Sequence, residues 1–116
     1  MENLDIISCQ IIASSGTAKS CYMEALEAAK SGDYDQAQDL IKEADDTLLA
    51  GHRLHATLIS ESAANPFEIP LLLMHAEDQM MSCETIKLMA LELIESGRKI
   101  LTLEKAVAAM QAGCAA

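Results

Sequence analysis

The longest helical pattern in the sequence runs from about Pro70 to about Ala109, and it is apolar around most of its circumference. At about 100° per residue, one face carries Leu72, Ala76, Met80, Cys83, Ile86, Ala90 and Ile94. A second face carries Leu71, Met74, Asp78, Met81, Ser82, Thr85, Met89 and Glu92. The polar side is narrow and holds Glu77, Glu84 and Glu95. A three-helix monomer can bury only one of the two apolar faces, so the sequence predicts self-association through the second.

Two further helical stretches precede this one, from about Asn3 to Lys30 and from about Tyr34 to Glu61. The tripeptide Ser31-Gly32-Asp33 separates them, because Gly suits the end of a helix and Asp suits the start of the next. A proline-containing loop is expected at 63–69, and a frayed tail at 110–116. Long helices with short connections predict an all-α fold, an antiparallel up-down-up three-helix bundle in a single domain spanning 1–116.

Composition excludes several classes of protein. The chain has 116 residues with 18 Asp+Glu against 8 Lys+Arg, a net charge of −10. This balance argues against nucleic-acid binding, which needs a basic face. No apolar run is long enough to span a bilayer, and the first residues lack a basic signal region, so we expect a cytoplasmic protein. The four cysteines form no C-x-x-C pair and are expected to be reduced, with three packed like small apolar residues.

Two residues near the start of the third helix are candidates for chemistry. Asp78 lies in the middle of the second apolar face, where a carboxylate is unfavourable unless it is paired, protonated or bound to a cation. Cyclic symmetry would gather copies of Asp78 on the axis and favour a metal ion there, although local pairing is an alternative. His75 lies about 60° away on the helix, at the edge between the two faces. It fits either a groove between subunits or a structural, partly buried site.

The remaining histidines carry a weaker signal. His52 and His55 are three residues apart on the second helix and share a face. A His-x-x-His pair can chelate zinc, but two ligands alone are weak evidence for a site. The sequence has no phosphate-binding glycine loop, no nucleophile elbow and no H-E-x-x-H motif, which argues against a self-contained kinase or hydrolase. A histidine nucleophile served by a partner protein stays open.

Three segments resemble one known family when they are taken in order. Around His75 the chain reads PLLLMHAEDQMMSCETIKLMALELI, similar to an aliphatic run followed by His-Ala-x-Asp-x-x-Met. The segments SSGTAKSCYMEALEAAKSGDYDQAQDLIKEAD and GHRLHATLI are similar to two further blocks of the same family. This is the lactose/cellobiose (and chitobiose) family of IIA components of the bacterial sugar phosphotransferase system (PTS). The resemblance covers about residues 3–100.

The resemblance implies a fold, a site and partners. It implies a homotrimer of three-helix subunits in which His75 is the phosphohistidine nucleophile, with HPr as the phosphoryl donor and a cysteine of the cognate IIB component as the acceptor. Asp78 from each subunit would bind one divalent ion per trimer on the threefold axis, usually Mg²⁺, with Mn²⁺ or Ca²⁺ as alternatives. The sugar would be a β-linked disaccharide of the cellobiose, lactose or chitobiose type. The IIA component does not bind it directly and serves the membrane component IIC only indirectly.

The sequence also departs from the family pattern. Glu77 and Gln79 replace the common Gln and His beside the aspartate, Gly51 replaces an Ala, and His55 replaces a common Gln. Gln79, His52 and His55 are therefore candidates for supporting roles only. Two other interpretations stay open. One is a non-catalytic helical adaptor, since EALEAAKSGDYDQAQDLIKEAD resembles a single tetratricopeptide-like hairpin, although such repeats need about three copies. The other is a regulatory relative that passes phosphate to no transporter.

Overall fold

Three α-helices make up the protein in a computed structural model that describes residues 3–115. They are α1 (Leu4–Lys30), α2 (Tyr34–Ala64) and α3 (Leu71–Ala115). Short connections join them, so each helix runs antiparallel to the preceding one. The predicted all-α three-helix bundle is confirmed. Across residues 3–115, no helix combines the length and the hydropathy that crossing a bilayer requires.

The turn between α1 and α2 forms as the tripeptide predicts. Gly32 has a φ of 82°, a left-handed conformation that closes the end of α1 and that glycine adopts without strain. Asp33 is the N-cap of α2, and its side chain accepts a hydrogen bond from the backbone N–H of Gln36 at 3.1 Å. This cap satisfies one of the free N–H groups at the start of the helix.

The core lies along α1, which packs against both other helices, whereas α2 and α3 approach each other more sparsely. Ile11, Ala18 and Tyr22 of α1 are fully buried in it. Small residues bring α1 and α2 close together, since a Cβ atom on buried Gly51 would lie 3.3 Å from the Cβ atom of Ser14. The inner face of α3 completes the core with Leu73, Ala76, Met80, Cys83 and Ala90. Four of these residues lie on the first apolar face that the sequence predicts.

The helix ends differ from the sequence prediction in two places. α2 continues to Ala64, so the loop predicted at 63–69 shifts to residues 65–70. α3 continues to Ala115 instead of ending near Ala109, so the frayed tail predicted at 110–116 is helical as far as it is described, and Ala116 lies outside the described residues. Of residues 110–115, Met110, Gln111, Ala112 and Ala115 are strong helix formers, and no proline is present to end the helix.

Three details of burial also correct the sequence analysis. Cys21 and Cys83 are buried, but Cys9 and Cys114 are exposed, so two thiols are packed in the core and not three. Burial raises the pKa of both core thiols. Helical spacing places Ile59 in the core stripe of α2, but its side chain is 55% exposed. The acidic residues of α2 are expected to form a solvated surface, but Asp45 among them is half-buried between the helices.

Candidate phosphoryl site and metal site

The second apolar face of α3 is exposed along its whole length in a single copy of the chain. We call it the outer face, and it consists of Leu71, Met74, Asp78, Met81, Ser82, Thr85, Met89 and Glu92. Its four large apolar side chains are strongly exposed: Leu71 at 80%, Met74 at 56%, Met81 at 62% and Met89 at 57%. Contiguous exposed apolar surface of this kind marks a binding surface. The structure thus confirms that one face of α3 has no partner among residues 3–115.

Asp78 projects from the middle of the outer face. Its side chain is exposed and forms no ion pair with any of residues 3–115. Its neighbours one turn away on the same face are Met74 and Met81, neither of which can neutralise a carboxylate. A carboxylate placed among apolar side chains needs a compensating charge once that face is covered.

His75 lies in the second turn of α3, and its side chain is also exposed. Within the part of the chain that the structure describes, no group hydrogen-bonds the imidazole ring. Asp78 and Gln79 follow at i+3 and i+4, so they flank the ring one turn further along the helix. Side chains on a helix lean towards its N-terminus. The ring therefore leans towards the positive end of the α3 dipole, which favours a negatively charged group.

A row of polar pairs joins α2 to α3 on another side of the bundle, and we call it the α2–α3 seam. His55 Nε2 lies 2.9 Å from Glu77 Oε1, and His52 Nε2 lies 2.6 Å from Glu84 Oε1. Both histidines therefore contact carboxylates of α3, and neither contacts His75 in the same copy. If His52 and His55 support His75 within one copy, they would do so indirectly, by fixing the position of α3.

The seam continues into the core through Asp45. Its carboxylate accepts hydrogen bonds from the Tyr22 hydroxyl and from Lys87 Nζ, the latter at 2.9 Å. Burial, and then this hydrogen bond, raise the pKa of Tyr22 above its ordinary value of 10.0. Sequence analysis missed the seam because carboxylates on a helix surface are usually solvated. The only available signal was the (i, i+3) spacing of His52 and His55.

A cation site at Asp78 would need carboxylates from more than one copy of the chain. Within residues 3–115 no group of three or more His, Cys, Asp or Glu side chains comes together in a way that could hold a metal. His52 and His55 each pair with a glutamate instead of sharing a ligand. Asp78 offers a single carboxylate per copy, and carboxylate oxygen is a ligand type that Mg²⁺ and Ca²⁺ prefer. The donor chemistry fits such an ion when several copies each contribute Asp78.

Comparison with known sequences gives a consistent result. The family model described as the PTS system, lactose/cellobiose-specific IIA subunit, matches residues 6–98. The lichenan-specific phosphotransferase enzyme IIA component of Bacillus subtilis is 39% identical over 100 residues, which cover 85% of this chain and 91% of that protein. The lactose-specific EIIA component of Streptococcus mutans is 34% identical over 95 residues, covering 81% of this chain and 91% of that protein.

Solved structures agree with the sequences. The crystal structure of the cellobiose-specific enzyme IIA from Bacillus anthracis matches with a TM-score of 0.83 and 34% identity, covering 88% of this chain and 94% of that one. The IIA(chitobiose) component of Escherichia coli, solved in solution in complex with HPr, matches with a TM-score of 0.76 and 28% identity, covering 86% and 98%. On its sequence and its fold, the chain belongs to the lactose/cellobiose-specific IIA family of the sugar phosphotransferase system.

Proposed function

We propose that this chain is a phosphocarrier that accepts a phosphoryl group on His75 and passes it to the cysteine of a cognate IIB component. The observation that carries the proposal is His75 itself, an exposed imidazole near the N-terminus of α3 in a His-Ala-x-Asp sequence. The donor we propose is the phosphohistidine of HPr. A similar IIA chain, from the chitobiose branch in Escherichia coli, was solved in complex with HPr.

The first step needs a neutral imidazole with one nitrogen free. Nε2 of His75 attacks phosphorus while the bond from phosphorus to the donor histidine nitrogen breaks, and the donor keeps the electron pair. In the second step a thiolate sulfur of IIB attacks the same phosphorus and the His75 nitrogen leaves. Transfer of this kind depends on in-line placement and charge stabilisation. The nearby N-terminus of α3 contributes part of that stabilisation.

The surroundings of His75 suit a protein partner. Ile69 and Leu71, on either side of Pro70, are 59% and 80% exposed, and Met74 is 56% exposed. Apolar side chains around a reactive group give a docking protein area to bury and exclude water from the transfer. In a phosphocarrier, other components bind the sugar, and the site around His75 does not. We propose a β-linked disaccharide as the transported sugar.

We further propose that three copies assemble through the outer face, with one divalent cation held by the three Asp78 carboxylates. The exposed apolar residues of the outer face support this arrangement, as does the single unpaired carboxylate in their middle. Mg²⁺ is the expected ion, with Mn²⁺ and Ca²⁺ as alternatives of the same donor preference. The cation would neutralise the gathered carboxylates and hold the axis together, while His75, at the edge of the face, stays open to HPr.

Phosphorylation in a reconstituted system tests the carrier role. The chain is incubated with enzyme I, HPr and radiolabelled phosphoenolpyruvate, and acid-labile phosphate is counted. The wild type and the His52→Ala variant are expected to take up label, and His75→Ala is expected to take up none. If His75→Ala is labelled like the wild type, the assignment of the nucleophile is wrong. If folded wild-type protein takes up no label from phospho-HPr, the carrier proposal fails and the adaptor interpretation gains ground.

A further inference from the structure

A pocket lies at the far end of the bundle from His75, where α3 runs past the turn between α1 and α2. We call it the end pocket, and its volume is about 430 Å³. It is lined by Lys30 and Tyr34 beside the turn and by Arg98, Leu101, Thr102 and Lys105 on α3. Arg98 follows His75 by 23 residues, which is about 35 Å along a helix. The end pocket is therefore separate from the candidate phosphoryl site.

The charge of the end pocket is opposite to that of the chain. The chain carries 18 Asp+Glu and 8 Lys+Arg, yet three basic residues line this pocket and none of the acidic residues that the structure describes does so. Arg98 and Lys105 form no ion pair within residues 3–115. Lys30 pairs with Glu27 at 3.2 Å, but both side chains are more than 60% exposed, so solvent screens the pair and an anion can compete with it. Cations gathered around one cavity favour a bound anion.

Tyr34 and Arg98 make direct contact in the wall of the end pocket. The guanidinium carbon of Arg98 lies 4.1 Å from the centre of the Tyr34 ring, a cation–π contact. Stacking of this kind uses the flat face of the guanidinium and leaves the N–H donors in its plane available. The Tyr34 hydroxyl is buried and has no hydrogen-bond partner among residues 3–115. A buried donor is unfavourable unless it meets an acceptor, so the pocket wall holds a polar group that the fold alone does not satisfy.

We propose that the end pocket binds the phosphate group of a small phosphorylated metabolite. A phosphate monoester carries nearly two negative charges at neutral pH and three strong acceptor oxygens. These suit the fork of Arg98 and the ammonium groups of Lys30 and Lys105 better than a single carboxylate does. The Tyr34 hydroxyl would donate to a phosphate oxygen, and Leu101 would contact the rest of the ligand. A nucleic acid or an anionic bilayer is disfavoured, because an extended polyanion would also meet the acidic surface of the chain.

The end pocket lies on the side of α3 opposite the outer face. At about 100° per residue, Arg98 and Lys105 are about 160° and 180° from Asp78 around the helix. Binding here therefore requires neither the proposed assembly nor phosphorylation of His75, and it stands or falls independently of the proposed function. Because the ligand would join the α1–α2 turn to the extension of α3, binding should also raise the thermal midpoint of unfolding.

Titration of the full-length, ¹⁵N-labelled protein, followed by NMR, tests the proposal. The probes are inorganic phosphate and glucose 6-phosphate, and the controls are glucose, citrate, and potassium chloride at equal ionic strength. We expect saturable shifts of the Gly32 and Thr102 amides with at least one of the two phosphates. Tighter binding of glucose 6-phosphate would identify an organic phosphate as the ligand, and equal binding would identify free phosphate. The proposal is wrong if neither phosphate saturates, if chloride causes the same shifts, or if citrate binds and the phosphates do not.

Two matched substitutions separate a built site from a general effect of charge. Arg98→Gln should weaken binding by about tenfold or more, because charge-assisted hydrogen bonds to the phosphate are lost. Lys99→Gln removes the same charge from the next residue, which does not line the end pocket. This control should change the affinity by less than about twofold, since salt screens exposed charges that make no direct contact. Equal losses in the two variants would overturn the proposal.

Tyr34→Phe gives a readout that a purely structural role would not produce. The hydroxyl has no partner in the free protein, so its removal should not lower the free energy of unfolding, but it should weaken phosphate binding by about threefold or more. A variant that is less stable and binds phosphate like the wild type would contradict the proposed contact.

A last variant, His75→Ala, distinguishes the end pocket from the candidate phosphoryl site. It should bind phosphate at the end pocket with unchanged affinity, even though it cannot carry a phosphoryl group. Loss of the Gly32 and Thr102 shifts in this variant would overturn the end pocket as an independent site. Failure of the wild type to take up label from phospho-HPr would instead contradict the proposed function and leave these shifts in place.

Discussion

The two faces of α3 are both rich in apolar side chains, yet they end in opposite environments. On the inner face, Met80 is 3% exposed and Cys83 is 1% exposed, packed against α1. On the outer face, Met81, the very next residue after Met80, is 62% exposed. The inner face is satisfied by folding of one chain, whereas the outer face can be satisfied only by a second molecule. One helix therefore carries a face for the fold and a face for the proposed assembly.

Polar groups also have different surroundings on the two faces. On the inner side, the buried hydroxyl of Tyr22 donates to Asp45, which also accepts from Lys87. On the outer face, Asp78 has no such partner among the described residues. Buried polar groups are normally hydrogen-bonded, whereas polar groups that bind a ligand often have no partner in the free protein. The difference predicts that inner-face polar residues act on stability, and that Asp78 acts on assembly.

Adjacent methionines give the sharpest contrast and the largest expected effect. Met80→Ala removes a buried side chain and should lower the free energy of unfolding by about 2–5 kcal/mol. Met81→Ala makes the same chemical change on the outer face and should leave the bundle folded while weakening self-association. Urea unfolding followed by circular dichroism, combined with light scattering over a range of protein concentrations, measures both. Equal losses of stability in the two variants, independent of concentration, would show that the two faces do not differ in role.

Removal of the proposed cation should have the next largest effect. At a Mg²⁺ concentration about 100 times its Kd, binding would stabilise the assembly by about 2.7 kcal/mol per ion. A chelator should therefore lower the thermal midpoint of the wild type and leave that of Asp78→Asn unchanged, because the amide does not bring the three negative charges to the axis. Glu92→Gln, on the same face, is the matched control and should respond like the wild type. An Asp78→Asn variant that responds fully to chelation would mean that the ion is bound elsewhere.

Most of the fold could be predicted from the sequence, because it depends on local signals. The Gly32 turn and the Asp33 cap are specified within four residues of chain. Helical spacing identified the inner face of α3 and its surplus apolar face. The predicted end of α3 near Ala109 was wrong. A run of strong helix formers without proline can instead continue into solvent to Ala115.

The candidate site was predictable only in part. His75 and Asp78 stand out because each is a polar residue beside or within an apolar face. The α2–α3 seam was not predictable, because which carboxylate meets which histidine depends on how two helices are rotated and aligned. Glu77 and Glu84 were assigned to a plain polar side on spacing, and only the packed structure shows that His55 and His52 reach them.

The buried hydroxyl of Tyr22 gives a smaller, pH-dependent effect on the inner side. Tyr22→Phe leaves Asp45 with one partner fewer and should lower the free energy of unfolding at neutral pH by about 1.5 kcal/mol. The raised pKa keeps the folded-state hydroxyl protonated, while the unfolded chain ionises above its ordinary pKa of 10.0. The stabilisation contributed by the Tyr22 hydroxyl is therefore complete below pH 10.0. It declines above that pH, by up to about 1.4 kcal/mol per pH unit.

The comparison of the two proteins across pH provides the test. Urea unfolding at pH 7 and at several values above 10 should show the advantage of the wild type over Tyr22→Phe shrinking as the pH rises. All other ionisable groups are the same in both proteins, so the difference between them isolates Tyr22. A constant difference over this range would show that the hydroxyl titrates alike in the folded and unfolded chains.

The smallest expected effects lie in the α2–α3 seam, at the border between the two faces. The His55 side chain is 18% exposed beside Glu77, whereas His52 and Glu84 are 40% and 41% exposed. Solvent screens exposed pairs, which typically contribute less than about 1 kcal/mol. Glu77→Gln should therefore lower the free energy of unfolding slightly more than Glu84→Gln. Double-mutant cycles with His55→Gln and His52→Gln measure each coupling, and a larger coupling for the exposed pair would contradict the argument from burial. Phosphorylation of His75 by HPr should persist in all four single variants, because the seam lies on a different side of α3.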